Sequence, residues 1–206
     1  RRNAGIAALA DVARLDEKPD AWHLGFLLGP RVNAGGRVGE AGLGVQLLTT
    51  NDPDVATGLA TRLDTYNSER REIETAVLDA AMAQAEQQVS GDTPLIVAAS
   101  EGWHPGVIGI VAGRIKDTYN RPTCVIAIEK GLGKGSGRSV RGVELGPAVI
   151  AAHQAGHLVN GGGHAMAAGF TVAEDRIGDF RKFLSDHISR QISGEVMVPE
   201  IGIDGA

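Results

Sequence analysis

The chain has 206 residues, of which 43% are hydrophobic and 22% are charged, so it can bury a core and is not a disordered segment. Aromatic residues make up only 4%, which argues against a surface that binds single strands by stacking bases on aromatic rings. The net charge of −5 disfavours a nucleic-acid partner, but residues 114–141 carry seven basic and two acidic side chains and concentrate positive charge in one segment.

The single cysteine and the hydropathy pattern indicate the compartment in which the protein is found. Cys124 lies in the apolar run TCVIAI and is predicted to be a small buried residue, because one thiol cannot form an intrachain disulfide. No signal peptide is visible, and no apolar run is long enough to cross a membrane. We therefore expect a cytoplasmic location and no membrane partner.

Residues 1–50 are predicted to form short helices around a glycine-rich turn at residues 29–39. The first six residues look like part of a helix in progress, and residues 195–204 alternate apolar and polar side chains like a strand. Both ends therefore suggest a piece of a longer protein.

A long helix is predicted next. Asp52 is a suitable N-cap, Pro53 suits the first helical position, and Asp54 complements the helix dipole. The helical pattern continues to about Val89 and ends before Gly91. Such a helix, roughly 55 Å long at 1.5 Å per residue, usually connects two domains. Two helices separated by a kink fit the same pattern.

Strands and helices alternate over residues 94–192. The predicted strands lie at residues 95–100, at 123–129, from 138 to 140 and within 164–172. The predicted helices begin at His104-Pro105, span residues 145–159, and cover residues 177–188. Residues 131–137 are predicted to be a glycine-rich turn, and residues 160–163 are predicted to stop the preceding helix. The alternation indicates an α/β domain of about 100 residues.

Three glycine-rich clusters contain basic or hydroxyl side chains: residues 29–37 (GPRVNAGGR), 134–139 (KGSGRS) and 161–164 (GGGH). Glycine allows backbone N–H groups to converge on an oxyanion, and arginine adds a bidentate charged donor. None of the clusters has the spacing of a P-loop or of a dinucleotide-binding fingerprint, and each alone fits an ordinary turn. Together they predict a phosphate-binding surface, provided that they converge in space.

Other catalytic arrangements are weakly supported. His153 and His157 lie four residues apart on one predicted helix and could chelate a metal, but no acidic partner is evident, and two helix-surface histidines are favoured. Ser136 and Ser139 lie near basic residues rather than in a Ser-His-Asp pattern. His104 either caps the following helix or contacts a ligand at its N-terminus. No metal site is predicted.

In combination, residues 102–115 (GWHPGVIGIVAGRI), 135–139 (GSGRS) and 161–170 (GGGHAMAAGF) resemble the DHH-associated domain of the DHH phosphoesterase superfamily. Residues 29–37 and 63–71 (LDTYNSERR) resemble the RecJ branch of exonucleases in particular. The resemblance implies an α/β fold: a mixed-sheet DHH-associated domain at residues 91–192, preceded by a helical segment and a long connecting helix at residues 53–90. Residues 1–52 would then be the tail of the catalytic DHH domain, and residues 193–206 the start of an OB-like domain.

The resemblance also implies an activity. The whole protein would be a metal-dependent 5′→3′ exonuclease that degrades single-stranded DNA in repair and recombination, with Mn²⁺ or Mg²⁺ held by a DHH motif that this sequence lacks. The chain alone would hold the strand without cutting it. Arg31, Asn33 and Arg37 would lie near the phosphates of the strand, and Ser136 and Arg138 would hold its 5′-terminal phosphate. The residues expected to line the substrate side are His104, Gly161, Gly162, Gly163 and His164, and His164 would stabilise the scissile phosphate.

Two other functions fit parts of the pattern. Related DHH phosphoesterases that degrade short RNA or cyclic dinucleotides share the GGGH element, and associated domains also occur in alanyl-tRNA synthetases as RNA-contacting modules without catalysis. The long helix and residues 29–37 favour the RecJ branch over both.

Overall fold

The computed structural model describes residues 3–89 and 93–192, and these divide into two compact units, the first ending at Thr75 and the second beginning at Ala76. Within the described ranges, none of the helices has both the length and the apolar composition that a membrane crossing requires. Residues 195–204, predicted to be a strand, lie outside the described residues.

The first unit is helical. Its elements are α1 (Ala4–Val12), a π-helical turn (His23–Leu28), α2 (Gly29–Val38), α3 (Leu43–Thr49) and the first half of α4 (Pro53–Val89). Helix α1 begins at Ala4 rather than running through the first six residues, because Asn3 caps it and its Oδ1 accepts a hydrogen bond from the Ile6 N–H. Buried leucines and alanines from the helices form the core of this unit.

The predicted turn at residues 29–39 is wrong, because residues 29–38 form α2. Pro30 lies in the first helical turn, where a missing N–H costs nothing. Gly35 is buried, and a side chain there would meet the Glu40 carbonyl oxygen at 2.6 Å and Leu63 Cδ2 at 3.2 Å. The glycines therefore allow α2 to pack closely, and tertiary contacts outweigh their poor helix propensity.

The long helix α4 is confirmed as one continuous element, Pro53–Val89. Asp52 caps it as predicted: its Oδ1 accepts hydrogen bonds from the N–H groups of Asp54 at 2.9 Å and Val55 at 3.3 Å.

The second unit is built on a five-stranded mixed sheet with the strand order β1-β2-β3-β5-β4. The first two strands run parallel, and all other neighbouring pairs are antiparallel. The strands are β1 (Ile96–Glu101), β2 (Thr123–Glu129), β3 (Leu132–Arg138), β4 (Asn160–His164) and β5 (Ala167–Ala173).

Helices cover the two faces of the sheet unequally. On one face, α6 (Leu145–Gln154) and α7 (Ile177–Gln191) enclose the main core, in which Phe170 and Phe180 lie 4.6 Å apart between ring centroids. On the other face, α5 (Ile108–Tyr119) packs against β2 and β3 through its buried stripe. This second face carries the candidate site described below.

Two glycine-rich segments that were predicted to be a turn and a helix stop are strands instead. Residues 132–138 form β3 and residues 160–164 form β4. Burial explains the glycines of β3: a Cβ at Gly135 would lie 2.0 Å from Phe170 Cε2, and one at Gly137 would lie 2.6 Å from Leu145 Cδ2. Only a strand without side chains on this face can pack so closely on the core.

Two helix boundaries also differ from prediction. The helix expected from His104 begins at Ile108, after a turn. The helix expected over residues 145–159 ends at Gln154, so His153 and His157 do not share it. Instead, the ring of His157 lies 4.7 Å from the ring of Phe183, and its Nδ1 is buried without a hydrogen-bond partner among the described residues.

The free edge of β1 is covered by side chains of α4. Gln84 donates from Nε2 to the Ala99 carbonyl at 3.1 Å, and its Oε1 accepts from the Ala99 N–H at 3.0 Å. Gln88 makes the same pair of hydrogen bonds with Val97, at 2.8 and 3.0 Å. Two amides one helical turn apart therefore satisfy the edge strand as a neighbouring strand would.

Candidate functional site

Three cross-strand rows on the sheet bring predicted site residues together. The register pairs Ser136 with Gly169 and Gly169 with Gly162, and it pairs Arg138 with Ala167 and Ala167 with His164. Directly opposed residues in antiparallel strands point to the same side, and so do residues two apart on one strand. The third row is Lys134, Thr171 and Asn160. We call these nine residues of β3, β5 and β4 the glycine-floored face.

The middle of this face is open. A Cβ built on Gly162 or on Gly169 would meet no other atom within 4 Å. The opposite side of β3 contrasts with this, since Gly133, Gly135 and Gly137 there are buried. Gly162 and Gly169 thus leave a flat floor on which a ligand can approach the backbone.

Arg138 and Ser136 form one side of the floor. Arg138 Nη1 donates to Ser136 Oγ at 3.1 Å and to the Gly137 carbonyl at 2.8 Å, which fixes the guanidinium group. Helix α5 approaches here through Gly109, where a Cβ would lie 3.0 Å from both Arg138 Nη2 and Ser136 Oγ. Because Ser136 Oγ accepts from the arginine, its own hydroxyl proton can be donated to an anion.

His164 lies at the other side of the floor, at the end of β4. It is exposed, and a two-residue turn, Ala165-Met166, joins it to Ala167. The Ser139 N–H donates to the Met166 carbonyl and the Leu145 N–H to the Ala165 carbonyl, each at 2.9 Å. These bonds hold the turn against the start of α6, so the backbone that carries His164 is fixed.

His104 supports the turn before α5. Its Nδ1 accepts a hydrogen bond from the Gly106 N–H at 3.0 Å. In the neutral ring, Nε2 then carries the proton and is the nitrogen that can donate to a ligand. The prediction that His104 caps the helix is wrong, because α5 has Val107 as its N-cap and no side-chain cap; His104 Nδ1 holds the preceding turn instead, and Nε2 remains for binding.

The site residues predicted in the first unit are Arg31, Asn33 and Arg37, all on α2. Arg31 Nε donates to Asp64 Oδ1 at 2.7 Å, and Nη1 donates to the Leu27 carbonyl at 2.7 Å. Asn33 and Arg37 are exposed and lie one helical turn apart. Asp64 was not singled out from the sequence, although it lies in the segment LDTYNSERR that carries the resemblance.

Beside Asp64, α4 carries a buried polar cluster. Arg70 donates to Asn67 Oδ1 at 2.7 Å and pairs with the Glu74 carboxylate. Asn67 and Glu74 are both buried. A charge needs such a partner when it is taken out of water, so these three residues stabilise one another.

Residues 3–89 and 93–192 contain no group of three His, Cys, Asp or Glu side chains placed to hold a metal ion. The described residues therefore do not fit a Mn²⁺ or Mg²⁺ site. Cys124 is fully buried, and burial raises the pKa of its thiol to about 12, as expected for a core residue rather than a nucleophile.

Comparison with known proteins agrees with the resemblance identified from the sequence. The DHHA1 domain family matches residues 92–190. The single-stranded-DNA-specific exonuclease RecJ of Dickeya dadantii is 40% identical over 208 residues, which cover 98% of this chain and 36% of the relative. The chain thus spans about a third of that relative's length.

Solved structures agree with the sequence comparison. The crystal structures of RecJ from Thermus thermophilus in complex with Mn²⁺ and with Mg²⁺ both match with a TM-score of 0.80 and 32% identity. They cover 91% of this chain, which spans 27% and 28% of theirs, respectively. The predicted resemblance to RecJ-type proteins and the predicted α/β class with a mixed sheet are confirmed.

Proposed function

We propose that this chain, a member of the RecJ family with its DHHA1 domain at residues 92–190, is the substrate-binding part of a 5′→3′ exonuclease that degrades single-stranded DNA. The observation that carries the proposal is the glycine-floored face, where Ser136, Arg138 and His164 share one open side of the sheet. The proposed role is in DNA repair and recombination, in the cytoplasm.

The proposed domain organisation follows the resemblance. Residues 1–52 are the tail of a DHH catalytic domain, residues 53–90 the connecting helix, residues 91–192 the substrate-binding domain and residues 193–206 the start of an OB-like domain. The continuous α4 and the DHHA1 match support the middle two assignments.

Each site residue has a proposed role in binding. Ser136 and Arg138 hold the 5′-terminal phosphate, because a hydroxyl donor and a fixed guanidinium group are the donors that a phosphate dianion prefers. The backbone of Gly161, Gly162 and Gly163 leaves room for the DNA strand, and His104 and His164 are proposed to donate hydrogen bonds to the two sides of that strand. His164 is proposed to stabilise the scissile phosphate.

Arg31, Asn33 and Arg37 are proposed to contact phosphates further along the strand. Asp64 positions Arg31 by accepting from its Nε, so the guanidinium group retains Nη2 for a phosphate. Asp64 is thus a positioning residue, and Asp64→Asn is expected to weaken DNA binding less than Arg31→Ala does.

In the whole enzyme, the DHH motif that this sequence lacks would hold the divalent ion, which would supply the water-activating chemistry of phosphodiester hydrolysis. The residues described here bind the strand and orient its 5′ end.

The test is substrate choice by the protein encoded by the whole gene. We expect Mn²⁺-dependent release of nucleotides from the 5′ end of long single-stranded DNA and little release from duplex. A preference for two- to five-nucleotide RNA or for cyclic dinucleotides would instead support the related phosphoesterases. Binding of RNA without hydrolysis of any of these substrates would support an RNA-contacting module.

A further inference from the structure

We propose that Gly109, in the first turn of α5, is a positioning residue for the two donors that hold the 5′-terminal phosphate. The inference rests on the proposed function and adds to it a residue that acts through Arg138 and Ser136. Because Gly109 has no side chain, the guanidinium group and the hydroxyl group have room to lie side by side and donate to one terminal phosphate.

The space beside Gly109 is occupied by the two donors themselves. A Cβ at this position would lie 3.0 Å from Arg138 Nη2, 3.0 Å from Ser136 Oγ and 3.7 Å from Arg138 Cζ. A residue with a side chain would therefore press on both donor groups at once. Gly113, one turn further along the same helix, differs in this respect, because a Cβ there would meet nothing within 4 Å.

The backbone of α5 cannot move away to relieve such crowding. Its buried stripe, which packs against β2 and β3, consists of Ile108, Val111, Ala112 and Ile115. The groups that yield are therefore the ends of two polar side chains, which can turn towards other rotamers at small cost in stability. A methyl group at Gly109 should thus disturb the site without unfolding the domain.

A small displacement of these ends matters for binding, because the guanidinium group is a rigid plane. Arg138 Nη1 donates to Ser136 Oγ at 3.1 Å and to the Gly137 carbonyl at 2.8 Å, so moving Nη2 away from α5 also turns Nη1. The hydrogen bond that leaves the Ser136 proton for a ligand is then weakened, although both side chains are still present. Gly109→Ala is expected to separate phosphate recognition from folding.

Two oligonucleotides that differ only at the 5′ end test the proposal: one short single strand, labelled at its 3′ end, with either a 5′-phosphate or a 5′-hydroxyl group. Their dissociation constants with the 206-residue chain are measured by fluorescence anisotropy. Gly109→Ala should weaken binding of the phosphorylated form by roughly threefold to tenfold, the scale of one lost hydrogen bond, and leave the hydroxyl form within about twofold. The larger side chain of Gly109→Val should reduce the preference further. The unfolding midpoint of Gly109→Ala should not fall, because alanine is the better helix former.

Gly113→Ala is the matched control, because it adds the same methyl group to the same helix where nothing is crowded. It should leave both affinities and their ratio unchanged. An unchanged ratio in both Gly109 variants, or an equal loss of affinity for the two oligonucleotides, overturns the positioning role alone. Equal affinity of the unaltered chain for the two oligonucleotides, or binding of neither, overturns the proposed function itself.

Discussion

Alanine at two glycines on opposite sides of the sheet should change stability in opposite directions. At Gly135 a new Cβ would lie 2.0 Å from Phe170 Cε2 and 2.2 Å from Cζ. The ring cannot move away freely, because it is buried and packs on Phe180. Gly135→Ala should therefore cost about 1–3 kcal/mol or more by overpacking. At about 2–4 °C for each kcal/mol in a chain of this length, the unfolding midpoint falls by on the order of 5 °C.

At Gly169 the same methyl group meets nothing within 4 Å. Gly169→Ala should stabilise the chain by about 0.5–1 kcal/mol, since glycine in a strand loses more backbone entropy on folding than alanine does. The methyl group nevertheless stands on the proposed binding floor, so affinity for a 5′-phosphorylated oligonucleotide should fall. Stability and binding thus separate at this position.

Thermal and urea unfolding followed by circular dichroism measure the first effect, and fluorescence anisotropy with a labelled 5′-phosphorylated oligonucleotide measures the second. The reasoning about the two faces fails if Gly169→Ala destabilises the chain as much as Gly135→Ala does. The reasoning about the floor fails if Gly169→Ala binds the oligonucleotide as tightly as the unaltered chain.

Four further outcomes are expected. Gln88→Leu leaves the Val97 N–H and carbonyl without partners, so it should lower the free energy of unfolding by about 1–3 kcal/mol and make hydrogen exchange faster at the Val97 amide than at the Ala99 amide. An unchanged exchange rate at the Val97 amide would contradict the edge-covering role. In the whole enzyme, Arg138→Ala should weaken the preference for 5′-phosphorylated over unphosphorylated ends by roughly 1–3 kcal/mol, and an unchanged preference would remove its assigned role. Burial raises the pKa of Cys124 to about 12, so iodoacetamide should label the native chain slowly at pH 8 and the unfolded chain quickly. Because the thiol ionises more readily in the unfolded chain, the free energy of unfolding should fall as pH rises from about 9 towards 12, and rapid native labelling would show that the thiol is accessible. The purified chain with Mn²⁺ should not degrade single-stranded DNA, and robust degradation that a chelator abolishes would refute this.

The sequence predicts elements well where local signals and packing agree. Helix α4 is predicted from Asp52 and Pro53 to Val89, and β2 is predicted with its observed bounds, because an apolar run of β-branched residues marks a buried strand. Both segments have strong local signals for the structure that they adopt.

The glycine-rich segments could not be assigned from the sequence. Strands β3 and β4 have poor β-propensity, and only the close packing of Phe170 and Leu145 explains why glycine occurs in β3. Helix α2 was missed for a similar reason, since Gly35 is selected by contact with Leu63 rather than by helix propensity. Secondary-structure propensity does not predict a segment whose residue types are determined by tertiary contacts.

Sequence motifs identify most of the site residues but do not show which of them lie together in the fold. The sequence singles out Ser136, Arg138 and His164, but the cross-strand register is what places them on one open face. Asp64 and Asn160 were overlooked, because a partner of an arginine or an edge-strand amide has no sequence signal of its own. The predicted convergence of the α2 arginines with this face stays a prediction.

A crystal structure of the chain with a short 5′-phosphorylated single strand tests the central claim most directly. The terminal phosphate is expected within hydrogen-bond distance of Ser136 Oγ and the Arg138 guanidinium group, with the strand lying over Gly169 and Gly162. A strand bound on the α6–α7 side of the sheet, with the glycine-floored face left empty, would contradict it.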